Sequence, residues 1–142
     1  MSIVASFPPS LEVKTFDNVH DYTSGEKCIG LFLDRYLYQT TIAIPMSSIP
    51  TTGLTTYNYF NHGIADIDVP LFIRDITLKS AGTSSAFSKL AYTMQANSSN
   101  TSQWHLYIER FTKTQLWIKR GTSATNEADT LYVTVQYFKR GE

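Results

Sequence analysis

The sequence predicts an all-β protein, an antiparallel β-sandwich of jelly-roll-like type. Three observations predict it. Runs rich in β-branched and aromatic residues, bounded by Gly, Pro, Asn and Asp, recur from residue 26 to residue 139. The stretch from Trp104 to Lys139 alternates apolar and polar positions with the period of a half-buried strand. No repeated helical segment separates successive strands, which excludes a parallel α/β sheet. The length of 142 residues fits one domain with a sizeable core.

Residues 1–24 read as an N-terminal attachment or packing segment and residues 25–142 as the sandwich domain. In the first, Pro8-Pro9 favours an extended path and Asp17-Asn18 a turn, with Leu11, Val13 and Thr15 between them as a short strand. Cys28 to Leu33 and Tyr36 to Ile44 form a hairpin that turns at Asp34-Arg35. Pro45 and Pro50 bracket a loop. Thr55 to Phe60 is a strand closed by Asn61-His62-Gly63, and Val69 to Lys79 is another, with Pro70 near its start or on an edge.

Ala81 to Ser85 is a turn of small residues. In Ala86 to Gln95, Phe87, Leu90, Ala91 and Met94 fit a helical stripe, whereas Tyr92 and Met94 fit a strand. The β character of the rest favours the strand. Ala96 to Gln103 is a polar loop, and Trp104–Phe111, Gln115–Arg120 and Thr130–Lys139 form an antiparallel meander.

Period-two alternation sorts the meander into two faces. One collects Leu106, Ile108, Leu116, Ile118, Leu131, Val133 and Val135 as the core. The other collects His105, Tyr107, Glu109, Trp117, Lys119, Tyr132, Thr134, Gln136 and Phe138. Four large aromatics on one face call for a cover: the N-terminal segment, a neighbouring subunit, or a ligand. Tyr107, Trp117, Lys119, Tyr132, Gln136 and Phe138 are therefore the candidate binding or subunit-interface residues.

Composition narrows the function classes. Charged residues make up 17% and the formal net charge is zero, with no basic cluster of the kind a phosphate backbone requires, so nucleic acid is not an expected partner. No apolar run approaches the ~20 residues of a membrane-spanning helix. The opening MSIVASFPPS lacks the basic and apolar regions of a signal peptide, which predicts folding in a cytoplasm. Cys28, the only cysteine, reads as a buried small hydrophobe.

Catalytic motifs are missing. The three histidines, His20, His62 and His105, carry no metal-ligand spacing, and no cofactor or metal is expected. His62 with Asp66 and Asp68 is the one His–carboxylate group, and its turn setting explains those residues without chemistry. There is no nucleophile elbow, P-loop or dinucleotide fingerprint. Glu109 stands as a single carboxylate whose expected partner is Lys119 across the meander. A non-enzymatic role follows.

Tyr22 to Ile42 reads YTSGEKCIGLFLDRYLYQTTI. With Asn61-His62-Gly63-Ile64 and Val133-Thr134-Val135-Gln136-Tyr137-Phe138-Lys139, it resembles a module of tailed-bacteriophage structural proteins over residues 22–140. Phe32 replaces the Trp usual there, and Asp34-Arg35 replaces an Asp-Gly-Lys-Pro turn. The resemblance implies a virion component of a tail fibre, receptor-binding, baseplate or head-fibre kind, made in the host cytoplasm and homo-oligomeric, with a trimer favoured. It also implies that residues 1–24 attach to other virion proteins and that the displayed domain contacts a host-surface glycan. The alternative is a carbohydrate-binding module stacking sugars on Trp117 and Tyr107.

Overall fold

The protein is represented by a computed structural model that describes residues 14–23, 25–51, 57–79, 106–121 and 127–142. Among these residues the apolar runs form seven strands: β1 Lys27–Phe32, β2 Arg35–Pro45, β3 Asn58–Asn61, β4 Ile67–Lys79, β5 Leu106–Phe111, β6 Gln115–Arg120 and β7 Thr130–Lys139. One turn of 3-10 helix, Met46–Ser48, follows β2. The strands make a four-stranded sheet in the order β1-β2-β7-β4 and a three-stranded sheet in the order β3-β6-β5. Every pairing is antiparallel, and the two sheets pack against each other as the predicted sandwich.

The core is where alternation places it. Leu106, Ile108, Leu116 and Ile118 face Ile42, Ile44, Leu131, Val133 and Val135 across the interior, and Met46 and Ile49 close one end. Full burial of each such side chain is worth about 1.5–3 kcal/mol before entropy is counted.

The expected meander of the last three strands is overturned. β5 and β6 form a hairpin in the smaller sheet, whereas β7 crosses to the larger one and lies between β2 and β4. Alternation reports which side of a strand is apolar, not which strand lies beside it. β7 is buried along nearly its whole length on both sides, so both of its edges also need partners. The Met46 N–H donates to the Asp129 carbonyl at 2.9 Å and fixes the start of β7 beside the end of β2.

Smaller corrections have local causes. The first hairpin turns at Leu33-Asp34, one residue earlier than expected, because Arg35 is already paired with Phe32. Both turn residues have positive φ, 51° and 62°, the pair a two-residue hairpin requires. The third strand begins at Asn58 and the fourth at Ile67. Thr55 and the turn, strand and loop expected over 81–103 lie outside the described residues, as do Leu11 and Val13.

Two buried polar features brace the sandwich. Arg120 is 1% exposed and donates to the Met46 and Ile49 carbonyls at 2.8 and 2.6 Å, with Glu127 at 3.2 Å. It ties the small sheet to the corner after β2. At the other end Tyr38 and Tyr137 stack with ring centroids 6.4 Å apart. The Tyr137 hydroxyl donates to Glu26 at 2.6 Å, so the Thr40 hydroxyl, 2.7 Å away, donates to Tyr137. Tyr38 donates to Glu142. Burial, aided by these carboxylates, pushes both phenols far above their ordinary range and keeps them neutral.

Candidate functional site

The six candidate residues divide between two sheets. Trp117 and Lys119 lie on β6 and Tyr107 on β5 opposite Lys119, all in the three-stranded sheet. Tyr132, Gln136 and Phe138 lie on β7, in the four-stranded sheet on the other side of the core. The single aromatic face expected from the meander is thus two faces, pointing away from each other.

On the β7 side the described chain supplies much of the cover. Phe138 is buried under the Arg35 guanidinium, 4.4 Å from its ring centroid, and beside Phe32. The Gln136 amide donates to Gln39 at 2.9 Å, and the Gln39 amide donates to the Val19 carbonyl at 2.9 Å. Arg74 donates to the same carbonyl at 3.3 Å. The N-terminal segment therefore crosses the outer face of this sheet near Val19, anchored by three long polar side chains. Farther along, Tyr22 donates to Asp75 at 3.0 Å. Beside that contact a groove of about 560 Å³ opens over Thr41, Asp75, Thr77, Tyr132 and Thr134.

On the other side, Trp117 is the centre of a cluster. Tyr59 meets its ring edge-on at 5.1 Å and Tyr57 lies tilted at 5.6 Å. The Arg110 guanidinium stacks 4.6 Å from the Trp117 centroid, and the Lys119 ammonium sits 4.1 Å from that of Tyr57. Glu109 accepts from the Tyr57 hydroxyl and lies 3.9 Å from Arg110. That hydrogen bond raises the Tyr57 phenol. Lys119, expected to pair with Glu109, instead caps an aromatic ring. Tyr59 remains 55% exposed. The Trp117 indole N–H is closed off from solvent and has no acceptor among the described residues, at a cost of about 1–3 kcal/mol.

A β-bulge builds this cluster. The β5–β6 register shifts between Ile108 and Arg110, so Glu109 is an extra residue on β5. Strict alternation sends 106, 108 and 110 inward. The bulge resets the phase, so that Phe111 pairs with Leu116 and packs inward, while Arg110 pairs with Trp117 and lies over its ring.

His62, Asp66 and Asp68 do not converge. The His62 Nδ1 accepts from the Ile64 N–H at 3.1 Å, which places the proton on Nε2, donating to the Thr112 carbonyl at 2.9 Å. Burial lowers its pKa, so the ring is a neutral strut between the β3–β4 turn and the β5–β6 hairpin. Asp66 pairs with Arg140 and Asp68 with Arg35, each at 3.0 Å. Among the described residues no three His, Cys, Asp or Glu side chains gather as a metal site.

Tyr57, Tyr59, Arg110 and Arg120 escaped the sequence reading. Tyr57 and Tyr59 share one face by alternation, but nothing local says that their strand pairs with β6. Arg110 depends on the bulge. Arg120 had a visible signal, since alternation sets it on the face of Leu116 and Ile118. No family model, curated protein or solved structure matches the chain.

Proposed function

We propose that the chain is a non-enzymatic virion structural module of a tailed bacteriophage, self-associating as a trimer and presenting its β-domain for contact with a host surface. The observation that carries the assembly part is the Trp117 cluster. A Tyr59 ring left 55% exposed against Trp117, with Arg110, Glu109 and Lys119 around the pair, has the makeup of an interface centre with a polar rim.

The virion setting is supported by the resemblance of three segments, which lie in the β1–β2 hairpin, the turn after β3 and the central strand β7. The last of these pairs directly with β2. Residues 1–24 serve in this reading as the attachment to other virion proteins.

Light scattering coupled to size exclusion tests the reading. A mass of about three chains at micromolar concentration, reduced to one by Trp117→Ala or Tyr59→Asp, is the expected result. A wild-type monomer at the highest attainable concentration would remove the support for self-association through this face. Sugar stacking on Trp117 is less well supported, because the Arg110 guanidinium occupies a face of the ring.

A further inference from the structure

We infer that the groove on the outer face of the four-stranded sheet is a binding site for a neutral saccharide ring. The assignment deepens the host-glycan part of the reading above and rests on it, but does not depend on self-association, whose surface lies on the opposite sheet. Three strands build the floor. Thr41 on β2 pairs with Thr134 on β7, their hydroxyls 2.9 Å apart. Across the β7–β4 ladder Thr134 faces Asp75 and Tyr132 faces Thr77. Tyr22, reaching in from the N-terminal segment, makes a wall and is held by its hydrogen bond to Asp75 Oδ2 at 3.0 Å.

A sugar ring presents apolar C–H faces and a rim of hydroxyls that both donate and accept. The groove offers matching parts: two phenol rings, three threonines with a methyl and a hydroxyl each, and one carboxylate. Among the described residues both contacts to the Asp75 side chain fall on Oδ2, from Tyr22 and from Arg74 Nε at 3.4 Å. Oδ1 is left to accept from a ligand hydroxyl, with the strength of a charge-assisted bond. Arg74 turns its Nη1 back toward Val19 and Gln39, and among the described residues no cationic side chain lines the groove. An anionic ligand would meet the Asp75 carboxylate, whose ion-pair partner among the described residues, Arg74, reaches it from outside the groove lining, so a neutral sugar is favoured. The volume of about 560 Å³ is in the range of small-ligand sites.

The test is an amide-detected NMR titration of the full chain with glucose, galactose, mannose and N-acetylglucosamine. Each is taken to about 50 mM, above the millimolar Kd that a ligand of one ring implies. At least one sugar should saturate and shift the amides of Thr41, Thr77 and Thr134. Asp75→Ala and Tyr22→Ala should each weaken it about tenfold. Trp117→Ala should leave it unchanged. Asp75 and Tyr22 are exposed enough for both variants to fold, which their spectra will verify. Shifts confined to β3, β5 and β6 would keep glycan binding and overturn the site. Absence of saturation by any of the sugars, shifts reproduced by glycerol at equal concentration, or wild-type affinity in both groove variants would overturn the proposal while leaving the oligomer measurement intact.

Discussion

Arg110 stacks on Trp117, 4.6 Å from guanidinium carbon to ring centroid, because one inserted residue, Glu109, turns it outward. The contact joins a strand irregularity to the surface on which the assembly reading depends. Removing the guanidinium should uncover the indole. In a Trp104→Phe background, Arg110→Ala is expected to raise acrylamide quenching of Trp117 and to cost about 0.5–1 kcal/mol. Unchanged quenching would mean that Arg110 does not shield the ring in solution.

The Leu33-Asp34 turn holds two non-glycine residues at positive φ, and Leu33 is 75% exposed. A left-handed conformation costs an ordinary L-residue about 1–2 kcal/mol. Replacing the pair with Asn-Gly should therefore stabilise the protein by about 1–2 kcal/mol. A higher urea midpoint at constant m-value is the expected readout. A lower midpoint would argue against this turn geometry.

His62 should make the protein acid-sensitive. Burial lowers its folded pKa below the 6.5 of a free imidazole. On acidification the unfolded chain takes up the proton first. The contribution is complete above pH 6.5 and is lost as pH falls through the folded value. His62→Phe should flatten that part of the stability profile. Imidazole nitrogen shifts should report an Nε2–H tautomer at neutral pH.

Arg120 is expected to be the costliest charged residue to remove. Arg120→Leu strands the Met46 and Ile49 carbonyls and should lose about 3 kcal/mol by urea denaturation. Lys, a single point charge without the planar fork, should recover less than half of that. Glu127 is exposed, and Glu127→Ala should cost under ~1 kcal/mol. Equal losses for Glu127→Ala and Arg120→Leu would shift the weight from the carbonyls to the ion pair.

Much of the fold was legible because period-two alternation is a local property. It sorted Leu106, Ile108, Leu116, Ile118, Leu131, Val133 and Val135 onto buried sides in advance. Strand partnership is not local, so the transfer of β7 to the other sheet was invisible, and with it the division of the aromatic residues into two surfaces. Bulges are also hard to read. Nothing in the run from Leu106 to Phe111 marks Glu109 as the extra residue, yet it decides whether Arg110 points toward the core or over Trp117. The groove shows the same limit: its lining comes from β2, β4, β7 and the N-terminal segment, four stretches brought together by pairing alone.

β7 has a consequence for how the molecule comes together in time. As the chain leaves the ribosome, β1, β2 and β4 emerge before the strand that must lie between the last two of them. Until residues 130–139 arrive, β2 and β4 each present an open edge, and Gln39 lacks its Gln136 contact under the Val19 crossing. Ladders that join such distant parts of a chain form slowly. Closure of the larger sheet accordingly waits on β7, and the exposed edges are most vulnerable to mispairing with nearby nascent copies during that interval.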